Sequence, residues 1–134
     1  MTTLQRAAEI YALVNFAVIG LSHVLRPREW SDLFVRLRGQ GEASVFAIAC
    51  LNLLFGSIIV AFHNRWSGLP LVLTLAGWAN VAKAALYLTF PAIGMRRLNA
   101  ISPDRPGVIV VGGAIFLVLA ALLAFNLYAT RESI

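Results

Sequence analysis

The stretch HNRWSGLPLVLTLAGWANVAKAALYLTFP, from His63 to Pro91, decides how this chain folds. Proline is tolerated in the first turn of a helix but not further in, so Pro70 reads as a start and Pro91 as a stop. The apolar run between them predicts one helix over about residues 69–90, long enough at 1.5 Å per residue to cross a hydrocarbon layer of about 30 Å. Lys83, the only lysine in the chain, stands inside that run. An ammonium among hydrocarbon needs a partner, a wet pocket or a route to the interface, which makes it the first residue to account for.

The rest of the chain has the same character. Apolar residues make up 60% of 134 positions, charged residues 13%, and the mean hydropathy is +0.81, outside the range of a water-soluble domain. No stretch is left over for a separate aqueous domain. The formal charge of +5 comes from arginines that fall between the apolar runs, which is a membrane signature and not one of nucleic-acid binding. Cys50 is the only cysteine, so an intrachain disulfide is impossible; it reads as a small packing residue.

Outward from the deciding stretch, three more runs predict spanning helices at about residues 7–25, 43–62 and 107–129. The first resembles a signal sequence in position, but it is too long for one and ends in His23 and Arg26 without a small-residue cleavage site, so it reads as a retained span. Between the first two spans, Trp30, Leu33, Phe34 and Leu37 follow the one-sided spacing of an amphipathic helix over about residues 27–38. Pro27 suits its first turn, and Gly39 and Gly41 end it. Such a helix lies flat in the headgroup layer. The connection from Ala92 to Pro106 reads as a loop, with Ser102, Pro103 and Asp104 as a helix cap and first turn, and the tail from Arg131 to Ile134 is too short to fold. The fold class is therefore all-α: a single integral membrane domain over residues 1–134, with four spans in an antiparallel bundle and one interfacial helix.

Arginine placement sets the expected orientation. Arg26, Arg28, Arg36, Arg38, Arg96, Arg97 and Arg105 lie in the first and third connections, against Arg6, Arg65 and Arg131 on the other side. The excess predicts those two connections in the cytoplasm of a bacterial inner membrane and both termini outside. Arg28, Arg36, Arg38, Arg96 and Arg97 would then meet anionic lipid headgroups.

This topology allows depths to be compared. Along an ideal helix Asn15 lies ~15 Å from Leu25, Asn52 ~12 Å from Ser44, and Asn80 ~16 Å and Lys83 ~12 Å from Pro91, all measured from one side. Three amides and an amine thus reach the middle of the bilayer, where unsatisfied polar groups are expensive and are expected to meet. Asn80, Lys83 and Tyr87 share a helix face by spacing, as do Asn52 and His63. Two readings stand: interhelical glue, or a ligand-binding cluster of Asn15, Asn52, Asn80, Lys83 and Tyr87.

His23, near a helix end, is a candidate proton-handling group beside the alternative of an interfacial histidine bonded to lipid or backbone. His63, Asn64 and Trp66 read as a helix-end cap and an interfacial tryptophan. No metal site and no cofactor are expected, and no nucleophile-base pair or Gly-rich phosphate loop appears.

The motif HNRW (His63, Asn64, Trp66), then TLAGW (Thr74, Gly77, Trp78), then Lys83 and Pro91, resembles a group of small bacterial integral membrane proteins over roughly residues 7–93. The resemblance implies a four-helix inner-membrane protein and brings no activity. IGLSHVLRPREW is in turn similar to the first hairpin of DoxX-like four-helix membrane proteins. There is also an internal echo: His23 and Tyr87 each precede a proline by four residues, and each proline leads into a basic segment. Three functions fit these residues. The first is a non-enzymatic accessory or assembly subunit of a larger membrane complex. The second is an oligomeric binding or transport protein for a small polar or anionic ligand, and the last a membrane enzyme using Lys83 or His23.

Overall fold

The computed structural model describes residues 1–131; the tail reading above falls mostly outside them. Six helices follow in order: α1 (Thr3–Leu25), α2 (Pro27–Gly39), α3 (Glu42–Phe62), α4 (Pro70–Thr89), α5 (Pro91–Asn99) and α6 (Gly107–Arg131). Among the described residues four of these, α1, α3, α4 and α6, are long and apolar enough to cross a membrane. They form the expected antiparallel bundle, with α2 as the amphipathic connector.

Local chemistry sets the helix ends. Thr2 and Gln5 form a reciprocal capping box that starts α1, with Gln5 N–H donating to Thr2 Oγ1 at 3.2 Å and Thr2 N–H to Gln5 Oε1 at 2.9 Å. Prolines open α2, α4 and α5. Gly41 takes a φ of 70°, a left-handed conformation that lets the chain reverse between α2 and α3.

One element departs from expectation. Residues read as loop after Pro91 form α5, a short helix whose Gly94 and Leu98 are buried and whose Arg96 and Arg97 fall in the last turn, where cations suit the helix dipole. The Ser102–Asp104 segment does not cap a helix: Ser102 Oγ accepts the Asp104 N–H at 3.3 Å within a turn, and α6 begins at Gly107. Cys50, read as a packing residue, lies exposed on α3.

The bundle consists of two tight pairs, α1 along α6 and α3 along α4, that touch each other much more lightly. Glycines make the pairs tight. A Cβ on Gly56 would stand 2.8 Å from the Gly77 carbonyl oxygen, and one on Gly20 would stand 2.9 Å from that of Gly113. Contacts this close let dispersion act between backbones, the force that replaces hydrophobic burial within lipid. Where the pairs meet, Ala12, Phe16, Ile59, Leu73, Ala120 and Leu123 form the core. One end of the bundle carries the amino terminus and the α3–α4 turn; the other carries α2 and α5.

Candidate functional site

Three groups of polar side chains within the bundle differ in their hydrogen bonding. The first group is at the turn end. Glu9, one and a half turns into α1, is fully buried, and so is His63, the residue that ends α3. His63 Nε2 lies 2.9 Å from Glu9 Oε1, and Asn126 Nδ2 of α6 donates to Glu9 Oε2 at 2.8 Å. Each carboxyl oxygen therefore has a partner, as burial of a polar group demands. Thr74 of α4 closes the arrangement. Its hydroxyl accepts the Arg65 N–H at 3.0 Å, stands 2.8 Å from the Arg65 carbonyl oxygen, and lies 3.5 Å from His63 Nδ1. One hydroxyl thus satisfies both backbone groups of Arg65 and fixes the short α3–α4 connection.

Side chains from all four spans meet here, joined by hydrogen bonds that run between helices. Trp78 Nε1 reaches Asn64 Oδ1 at 3.4 Å on the exposed side. The segment read as a simple cap, His63, Asn64 and Trp66, is thus where α3 is tied to α1 and α4, while Trp66 itself is exposed. Glu9 went unread in the sequence. The signal was present: an acid inside an apolar run is a rare and costly placement that ordinarily has a named partner.

The second group is at mid-depth. Asn15, Asn52 and Asn80 all line one groove of about 410 Å³ between the two helix pairs, walled by Tyr11, Phe16, Phe55 and Phe116. They do not bond one another. Each Nδ2 donates to the carbonyl four residues back on its own helix, to Tyr11 at 2.9 Å, Ile48 at 2.8 Å and Ala76 at 2.8 Å. Beyond those bonds, the amides have no hydrogen-bond partner among the described residues. Tyr11 and Phe55 stack with ring centres 5.7 Å apart, so the groove has a firm aromatic edge.

The third group lies toward α5. Lys83 and Tyr87 line a separate recess of about 170 Å³ with Phe34, Val45, Ile48 and Arg97, and no residue lines both cavities. The five residues grouped by depth thus divide into three amides in the groove and, on α4, Lys83 with Tyr87 in the recess. Lys83 Nζ stands 5.7 Å from the centre of the Tyr87 ring, within cation–π range. Asn80 and Lys83 are three residues apart, a rotation of about 60° on the helix with a rise of about 4.5 Å, and that offset carries Lys83 past the end of the groove.

His23, the candidate proton-handling residue, is buried between α1, α2 and α6. Its Nδ1 lies 2.8 Å from the Ile19 carbonyl oxygen, the ring stacks on Trp30 at 4.1 Å, and Phe116 meets it edge-on at 5.9 Å. These contacts hold the ring against α2 and α6. Among the described residues no group of three or more metal-ligating side chains forms. Comparison with protein families, with curated proteins and with solved structures finds no match.

Proposed function

We propose that this chain is a non-enzymatic accessory or assembly subunit of a membrane complex, and that a transmembrane helix of its partner lies against the asparagine groove. The observation that carries this reading is the state of Asn15, Asn52 and Asn80. Each amide spends one N–H on its own helix, and each retains an oxygen and a second N–H without a partner among the described residues. At mid-bilayer depth no water stands in for the missing partner, so the arrangement favours a polar group brought by a neighbouring helix. The weak apposition of the two helix pairs supports the same reading, because it leaves the groove open from the side.

The buried Glu9–His63 pair has the residue types of acid–base chemistry but serves as a tie, since both groups are sealed from any substrate. In this reading the protein sits in a bacterial inner membrane with α2 and α5 on the cytoplasmic side and both termini outside. The excess of arginine at the α2–α5 end supports that orientation.

Native mass spectrometry of the protein extracted from its own membranes in mild detergent tests the proposal. A stoichiometric complex with a second polypeptide is expected, and Asn52→Leu should release that polypeptide while the subunit keeps its own melting temperature. A lone chain from both forms would contradict it, as would a complex indifferent to all three asparagines.

A further inference from the structure

The two halves of the chain repeat one plan: a span, a proline, a short helix and a second span, as α1–α2–α3 and again as α4–α5–α6. The breaks match in backbone geometry. Arg26, before Pro27, has φ −130° and ψ 51°; Phe90, before Pro91, has φ −128° and ψ 74°. The pairing of α1 with α6 and of α4 with α3 is what exchange of the halves about an axis along the bundle requires. Residues can therefore be compared by their distance from the proline.

Four before it stand His23 and Tyr87; three after it stand Trp30 and Gly94. In the first half the indole stacks on His23 and its Nε1 donates to Ser22 Oγ at 2.8 Å, so the space between span and short helix is filled. The second half has glycine where the indole stood, and Tyr87 has no aromatic ring partner among the described residues. Beside Tyr87 and Gly94 lies the recess of about 170 Å³. The same comparison places its charges. Eight before the proline stand Ile19 and Lys83, and six after it stand Leu33 and Arg97. The half that lacks the indole is the half that carries both cations.

No acid lines this recess. Neither Lys83 nor Arg97 enters an ion pair among the described residues, and both line this one recess. Two like charges drawn to one apolar-walled recess at a bundle end are a cost that an anion between them removes. The depth specifies which kind. Lys83 lies six residues inside the end of α4, about 9 Å along its axis, and its flexible stem can rise toward the headgroup layer where the short helix lies. Val45, Ile48 and Leu98 supply the apolar wall that a diffusible inorganic anion would not need.

We propose that this recess binds the phosphate headgroup of an anionic phospholipid, with Lys83 and Arg97 holding the phosphate and Val45, Ile48 and Leu98 receiving the first part of an acyl chain. Basic pockets between spanning helices recognise lipid headgroups by this chemistry. The site is independent of the asparagine groove and stands or falls separately from the subunit proposal.

The test is a titration of phosphatidylglycerol onto the purified full chain held in neutral phosphatidylcholine nanodiscs, with bound lipid counted by mass spectrometry. One retained phosphatidylglycerol per chain is expected. Lys83→Met and Arg97→Gln should each weaken it by about tenfold, the loss of one charge-assisted contact, while Lys83→Arg and, at the far end, Arg6→Gln should leave it unchanged. Arg97 is exposed on α5, so its variant reports on binding even if Lys83→Met fails to fold. Retention unaffected by either loss of charge would overturn the proposal. So would inorganic phosphate or oleate competing as well as the phospholipid, since each would assign the recess to a different anion.

Discussion

Asn126 and Asn52 are the same residue type on different spans of one small bundle, α6 and α3, and they have opposite fates. Asn126 is buried at the turn end and donates to Glu9 within a network that links all four spans. Asn52 bonds only its own helix and lines an open groove. The lesson is that polarity inside a membrane protein does not distinguish structure from function, whereas the destination of the hydrogen bond does. A polar side chain bonded across helices is holding the fold; one bonded only to its own helix, in an open groove, can serve a neighbour.

The largest effect that could break this contrast is at Glu9. Glu9→Leu leaves His63 buried without its carboxylate, and removal of one member of a buried pair costs about 3–5 kcal/mol. A matching fall in unfolding free energy in detergent is expected, with partial recovery in the Glu9→Leu, His63→Leu double variant; a wild-type value for the single variant would show that the turn end is not the tie described here. Next in size is the asparagine comparison itself. Asn126→Leu strands an oxygen of Glu9 and should cost about 1–3 kcal/mol. Asn52→Leu, by contrast, should change stability by less than about 1 kcal/mol. Equal losses at the two positions would erase the distinction.

The smallest effect lies outside the spans. Glu29 donates nothing to the core, and its carboxyl is held below its ordinary 4.5 by its own backbone N–H and by Arg26, 3.2 Å away. A lowered carboxyl value adds stability that is present above the ordinary value and lost as pH falls through the lowered one. Any contribution from Glu29 therefore disappears only below about pH 4.5, and because the pair is exposed Glu29→Gln should leave the melting temperature at neutral pH unchanged.

Much of this architecture is legible in residue order because lipid imposes a simple code. The four spans, the stop at Pro91 and the amphipathic stripe of Trp30, Leu33, Phe34 and Leu37 follow from length, proline and periodicity alone. Depth is legible too, which is why Asn15, Asn52 and Asn80 could be placed at one level. What depth does not reveal is azimuth. Lys83 shares that level within one turn yet opens into a different recess, because the rotation of α4 against α3 and α5 is set by the close approach of Gly77 to Ile59 and of Gly94 to Val45 and Tyr87. Short helices are also hard to read: α5 has nine residues with a glycine in the middle, too few for periodicity to outweigh propensity. The repeat of Pro27 at Pro91 was the available sign. Glu9 escaped because its partners come from residues 54 and 117 positions away along the chain.

The central claim, that the chain works by receiving another membrane protein at the groove, is tested most directly by a photocrosslinking residue placed at Leu54, which lines it. Irradiated in intact native membranes, the protein should yield one adduct of defined mass with a different polypeptide, and that adduct should vanish when Asn52→Leu is added. Adducts with lipid alone, or with a second copy of the same chain, would contradict it.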